Sequence, residues 1–418
     1  MSSLVDRFIR YVKINTQSAE GQNCVPSTPC QHDLAKALGE ELRSFGLGDV
    51  TVTENAYVCA VLPANCEGAP AIGFCAHIDT ALEVTGKDVK PRLVENYDGG
   101  DVVLNAAENV VLSPKTFPEL NDHKGETLIV TDGTTLLGAD DKAGVAEIMT
   151  AVEYMTRHPE FKHGKIVVCF CPDEEIGHGA KLWDLDRYGA DFAYTVDGGG
   201  TGTFSYETFN AAQAHVKIKG VAVHPGTAKN KMINAAMVAM EFVASLPPAE
   251  TPPHTELYEG YYHLTEITGG VEEAEMTYII RDHDTAKFEA RKEHFRLLVR
   301  QLNERWGREL AELEMHDQYY NMAVPLQKRM DIVNTALKAY EMAGVTPKII
   351  AARGGTDGSQ LSFRGLLTPN LFIGGYNCHG KYEYAVVGSM EKSVKVILNI
   401  VQLYAEGKQL LASRMMAL

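Results

Sequence analysis

Five short motifs rich in histidine or acid are spread along this chain, each just after an apolar strand pattern or at the opening of a helix. In Ala76-His77-Ile78-Asp79-Thr80, His77 can ligate a metal while Asp79 orients its imidazole. In Gly138-Ala139-Asp140-Asp141-Lys142-Ala143-Gly144, two carboxylates stand at a helix N-terminus, where an aspartate can cap the helix or bridge two cations. That motif alone leaves both roles open. Pro172-Asp173-Glu174-Glu175-Ile176-Gly177 ends an apolar strand, and its adjacent carboxylates repel one another unless a cation or a shared proton compensates. Two such glutamates can divide the work, one ligating metal and the other taking a proton from water, although a solvated acidic turn is the simpler alternative. Thr195-Val196-Asp197-Gly198-Gly199-Gly200 and Asn377-Cys378-His379-Gly380 repeat the placement of a ligand-type residue after a strand. The glycines after Asp197 do not form a dinucleotide fingerprint, because Thr203 stands where the third glycine belongs and no helix clearly follows. Together the motifs supply an oxygen-and-nitrogen donor set suited to zinc, cobalt or manganese, and unlike iron–sulfur or structural cysteine sites.

The elements that must bring these residues together follow an α/β rhythm. Amphipathic helices are expected at 4–12 and 33–45, and nearly continuous apolar strands at 71–75, 166–171 and 192–196, the pattern of a sheet covered on both faces. Residues 81–137 are polar and rich in glycine and asparagine, which predicts hairpins decorating this domain. The rhythm breaks between 208 and 320. There the order is strand 214–221, helix 230–245, strands 262–267 and 273–281, helix 285–306 with Asp284 as N-cap, and strand 309–318, a split βαβ, ferredoxin-like α+β unit. A helix at 330–343, strands at 347–351 and 370–373 and a last helix at 390–405 then resume the first pattern. The expected organisation is one discontinuous domain, 1–207 with 321–418, carrying an inserted domain at 208–320.

The chain has 418 residues, 45% of them hydrophobic, enough for two cores. A formal charge of −16 argues against nucleic acid or an anionic membrane as partner. Asp6, Arg7 and Arg10 interrupt the only apolar stretch near the start, and no run is long enough to span a bilayer, so a cytoplasmic protein is expected. The eight cysteines lack paired spacing and should be reduced thiols; Cys169 and Cys171, two apart in a strand, should face one core.

In the order and spacing of these five motifs, and in the position of the inserted domain, the sequence resembles the cocatalytic dizinc exopeptidase and deacylase family across almost its whole length. The resemblance implies a zinc-exopeptidase-like mixed sheet with helices on both faces. It implies two zinc ions per subunit, replaceable by cobalt or manganese, with Asp140 bridging, His77 and Asp197 completing one shell, and Glu175 and His379 the other. Glu174 would be the general base for attack by a hydroxide between the ions, and Asp79 would keep His77 in its tautomer. His224, in Val223-His224-Pro225-Gly226, would stabilise the oxyanion from the inserted domain, which would act as a lid or serve as a dimer interface. Arg281 and Arg353 look like the guanidinium groups that grip a substrate carboxylate, unless they form ordinary surface ion pairs. The implied activity is release of the N-terminal residue from short peptides, most of all tripeptides, with an unassigned acid binding the free amine. A deacylase or dipeptidase on the same metals, and a non-catalytic metal-binding protein, are the alternatives. A monomer or a homodimer is equally compatible with the sequence.

Overall fold

A computed structural model, which describes residues 3–415, buries every side chain of the strand Ile166–Cys171. Successive residues of this strand serve opposite cores: Ile166, Val168 and Phe170 join the larger one, and Val167, Cys169 and Cys171 the smaller. The two thiols do share one core, as their spacing predicts. A strand that is apolar on both sides must lie inside a sheet with helices on both faces. The larger core gathers the helices Ser3–Val12, Gln31–Ser44, Ala139–Arg157, Met330–Met342 and Val387–Met415. On the other face lie the short helices Leu185–Tyr188 and Asp357–Phe363.

Eight strands form this sheet, in the order Asp49–Val52, Val58–Leu62, Ile166–Cys171, Ile72–His77, Phe192–Gly198, Asn370–Phe372, Thr203–Thr208 and Lys348–Ala352. Its centre is parallel: Ile72–His77 runs parallel to both Ile166–Cys171 and Phe192–Gly198. Val58–Leu62 pairs antiparallel with Ile166–Cys171 and Thr203–Thr208 with Asn370–Phe372, making the sheet mixed. The glycine- and asparagine-rich stretch contributes a hairpin, Val102–Asn105 with Val110–Leu112, and two strands of a small sheet ordered Gly375–Tyr376, Tyr384–Val386, Leu128–Val130 and Arg92–Val94.

Chain contacts divide the protein into two units: Met1–Tyr206, Val324–Ile350 and Thr356–Leu418 in one, Glu207–Ala323 and Ala351–Gly355 in the other. The second unit has an antiparallel sheet ordered Tyr261–Gly269, Glu273–Asp282, Asn210–Lys219 and Ala311–Tyr319. Ala212, Ala214, Val216 and Ile218 alternate onto the face that also receives Val238 and Phe242 of the helix Ala235–Ser245 and Phe288 and Phe295 of Thr285–Trp306. This is the ferredoxin-like order. The Asp284 side chain accepts from Lys287 N and caps the second helix. The first helix begins five residues later than its apolar pattern suggests, because Asn234 caps it by accepting from Met237 N.

Glu147, on Ala139–Arg157, is wholly buried; its Oε2 accepts from Ser393 Oγ and its Oε1 has no partner. Burial drives its pKa well above the ordinary glutamate range, and the Ser393 hydrogen bond only partly opposes this. Burial in the folded state therefore favours the neutral acid. Its contribution is complete below the unfolded pKa and is lost as pH rises toward the folded one. Glu147→Gln should be more stable than the parent at pH 8, with the difference vanishing near pH 4; thermal midpoints of both proteins across pH test this.

Candidate metal and catalytic centre

The C-terminal ends of adjacent parallel strands are where side chains from distant sequence positions meet. Here three such ends deliver His77, the Glu174–Ile176 turn that follows Cys171, and Asp197. The helix Ala139–Arg157 brings its first residues to the same place and packs so closely that a Cβ at Gly144 would overlap the Val196 carbonyl. His379 comes from the loop between Gly375–Tyr376 and Tyr384–Val386, with a positive φ of 65°.

Asp140 lies at the middle of the cluster. Its Oδ1 is 2.9 Å from His77 Nε2, and its Oδ2 is 3.3 Å from His379 Nε2. His77 Nε2 is also 3.5 Å from Asp197 Oδ1, and His379 Nε2 is 3.2 Å from Glu175 Oε2. Each oxygen of Asp140 thus faces one histidine and one further carboxylate, the arrangement in which a single carboxylate can serve two cations. His77, Asp140 and Glu175 form one group with ligand atoms close enough for a metal ion; His77, Asp141 and Asp197 form another.

The electrostatics of the protein alone call for positive charge. Burial is the main cause that raises Asp197 to about 6 and Glu175 to about 8, with the Asp140 charge adding to both. Glu174 is pushed well above the glutamate range, first by burial. Burial opposes protonation of His77, but Asp197, Asp140 and Asp79 outweigh it and raise the imidazole pKa strongly. His379 rises to about 9, chiefly through its hydrogen bond to Asp140. Glu175 Oε1 is buried without a partner. Cations between these groups would satisfy that orphan and compensate the crowded carboxylates, and two imidazoles with three carboxylates are donors that zinc accepts. The residues fit a metal.

Acids not aimed at the cluster centre are held by backbone amides. Asp79 Oδ1 accepts from Glu174 N at 3.0 Å and Oδ2 from Glu175 N at 3.1 Å, so Asp79 grips the glutamate turn directly. It also meets His77 Nδ1, through its backbone carbonyl at 3.1 Å and Oδ1 at 3.3 Å. Asp173, at φ 59°, accepts from Ser27 N, Ser27 Oγ and Gln31 Nε2, each at 2.6 Å, which anchors the start of the same turn. Glu383 accepts from Leu137 N, Gly138 N and Asp140 N at 2.7, 2.8 and 3.1 Å. Asp141 accepts from His77 N and Gly144 N, both at 3.2 Å, and the Asp140–Asp141 peptide is cis. Sequence reasoning missed Glu383 and the roles of Asp141 and Asp173. Glu383 is four residues beyond His379, in a polar loop that gives no sign of burial.

The three residues expected to bind substrate lie in the second unit. His224 is exposed, and its Nδ1 accepts from Gly226 N at 3.1 Å. Arg353 donates to the carbonyls of Leu257 and Glu259 and to Thr255, and stacks over Phe209 and Tyr261. It is a clip for the 255–259 loop, and forms no ion pair among the described residues. Arg281 lies over the Tyr319 ring, 4.9 Å from its centroid, with Nε and Nη1 buried and unpartnered.

Residues 206–308 match the family described as a peptidase dimerisation domain. A protein named peptidase T from Geobacillus sp. (strain WCH70) is 54% identical over 406 residues, covering 97% of this chain and 99% of that one. One of the same name from Clostridium novyi is 54% identical, covering 97% and 100%. Among solved structures, an aminopeptidase PepT from Bacillus cereus superposes with a TM-score of 0.75 at 23% identity, covering 96% of this chain and 98% of that one. A tripeptidase from Staphylococcus aureus superposes with a TM-score of 0.76 at 21% identity, covering 97% and 98%. At those identities the likeness is one of fold.

Metal uptake must displace protons from His379, Glu175 and Asp197, which titrate at about 9, 8 and 6. Affinity for zinc should therefore climb as pH is raised from about 6 to about 9, with protons released on binding, as calorimetry in buffers of different ionisation enthalpy will read. Glu383→Gln should weaken metal retention roughly ten- to a hundred-fold, measured by competition with a chelator.

Proposed function

This chain belongs to the peptidase T family, and we propose that the cluster around Asp140 is where it releases the N-terminal residue of tripeptides. The protein is a hydrolase, a tripeptide aminopeptidase, and its cluster has ligand groups placed to hold a metal ion. The observation that carries the assignment of the site is the division of Asp140, one oxygen toward His77 and the other toward His379, beside the Glu174–Glu175 pair.

The proposed cofactor is a pair of zinc ions, with cobalt or manganese as substitutes, one held by His77, Asp197 and Asp140 and the other by Glu175, His379 and Asp140. Bound there, they would supply Lewis acidity and make water nucleophilic near neutral pH. Glu174 takes a proton from the attacking water and returns it to the leaving amine nitrogen, a role supported by its place next to a ligand and by the Asp79 carboxylate that fixes its backbone. Asp79 fixes the backbone of both Glu174 and Glu175 and one imidazole, so it acts on rate through position. His224 and Arg281 are the proposed contacts to the oxyanion and to the peptide carboxylate. Arg353 joins them only if it releases the carbonyls it now binds.

A homodimer formed through residues 206–308 is proposed from the family match of that segment. A cytoplasmic location is supported by eight free cysteines, and no helix among the described residues is long and apolar enough to cross a membrane.

Purified protein with added zinc should release alanine from Ala-Ala-Ala and leave the N-acetylated tripeptide intact. Glu174→Gln should lower kcat roughly a hundred- to ten-thousand-fold with metal content unchanged. Cleavage confined to the acetylated peptide would move the protein to the deacylase branch.

A further inference from the structure

In the second unit, strand register sets four residues in one row: Tyr261 opposite Arg281, Arg281 opposite Ala211, and Ala211 opposite Tyr319. Neighbours across a sheet point to the same face. Ile280 and Ala212, one step along, fill the core under the helices, so this row stands on the helix-free face. Ala211 is small enough to let the Arg281 guanidinium reach across it and lie over the Tyr319 ring.

Three polar atoms in this row lack partners: Arg281 Nε, Arg281 Nη1 and Tyr319 Oη are all buried and unbonded. No ion pair joins Arg281 to a carboxylate among the described residues. Its neighbours are treated differently. Arg291 pairs with Asp282 and Glu250, and Arg353 spends its donors on loop carbonyls. A guanidinium stays protonated when buried, and a buried charge without an acceptor is among the most unfavourable features a fold can carry. A phenol hydroxyl turned to the same side adds a second donor and no compensating charge. Gly355 guards this geometry, since a Cβ there would lie 2.6 Å from Tyr319 Cε1 and displace the ring.

We infer that Tyr319 is a specificity-determining residue, whose hydroxyl completes with Arg281 a cradle for the terminal carboxylate of a peptide. This inference rests on the aminopeptidase reading, which supplies a ligand with one such group. A carboxylate has two oxygens with lone pairs in one plane, so one can accept from the guanidinium while the other accepts from the phenol. The guanidinium and the phenol each then have an acceptor. A peptide amide lacks the charge and presents N–H groups that compete for the same space.

The test compares Ala-Ala-Ala with its C-terminal carboxamide, in calorimetric binding to the zinc-loaded Glu174→Gln protein and in kcat/KM of the active enzyme. The acid should bind about ten-fold tighter than the amide, the size expected for charge-assisted hydrogen bonds. Tyr319→Phe should cut that acid-to-amide ratio several-fold, mostly through KM, and Gly355→Ala should do the same by moving the ring. An unchanged ratio in Tyr319→Phe, or equal weakening of acid and amide, would overturn the inference and leave the hydroxyl a structural group. Acid preference in binding without hydrolysis by the active enzyme would support the cradle while sinking the aminopeptidase reading.

Discussion

Like charge crowded into a low-dielectric place is the constraint that the first unit is built around. Asp140, Asp141, Glu174, Glu175 and Asp197 share a region where burial alone disfavours each carboxylate anion. Two kinds of positive partner answer this. Backbone N–H groups take the acids at the periphery, with Asp79 receiving two, Glu383 three and Asp141 two. Imidazoles take the central one, and cations would take what remains. The amide-bound acids also tie together the segments that carry ligands, so the same bonds that settle charge settle position.

That arrangement demands an edge where backbone N–H groups from several segments are not already consumed by a sheet or helix. The ends of parallel strands provide it. Ile72–His77 and Ile166–Cys171 stop at the same level, and the last residue of the first and the chain leaving the second have unspent amides that Asp141 and Asp79 collect. The close seat of Gly144 on the Val196 carbonyl lets the helix after Asp140 descend to that level. A bulkier residue there would lift Asp140 away from His77.

Much of this was legible in the residues. Apolar runs such as Ile166–Cys171 announce a covered strand because burial on both faces leaves no room for alternation, and the split order of the second unit follows from its changing period. The five motifs stood out because histidine and paired acids after apolar strands have few structural uses. Glu383 did not stand out, since an acid in a glycine-containing loop looks solvated until the chain folds over it. Asp79 looked like a histidine partner two residues away, while its strongest bonds go to amides almost a hundred positions later, a pairing that spacing does not encode. Arg353 and Arg281 looked alike as isolated cations. Only packing separates the one whose donors are spent on carbonyls from the one whose donors have nowhere to go.

The cluster draws its residues from position 77 through position 379, with the second unit synthesised in between. A chain emerging from the ribosome therefore offers His77, Asp140, Glu175 and Asp197 long before His379 and the Glu383 clasp exist. Until His379 is made, Asp140 has one imidazole and not two to divide between. A cluster assembled in this way is complete only when one of the last loops of the chain has been made.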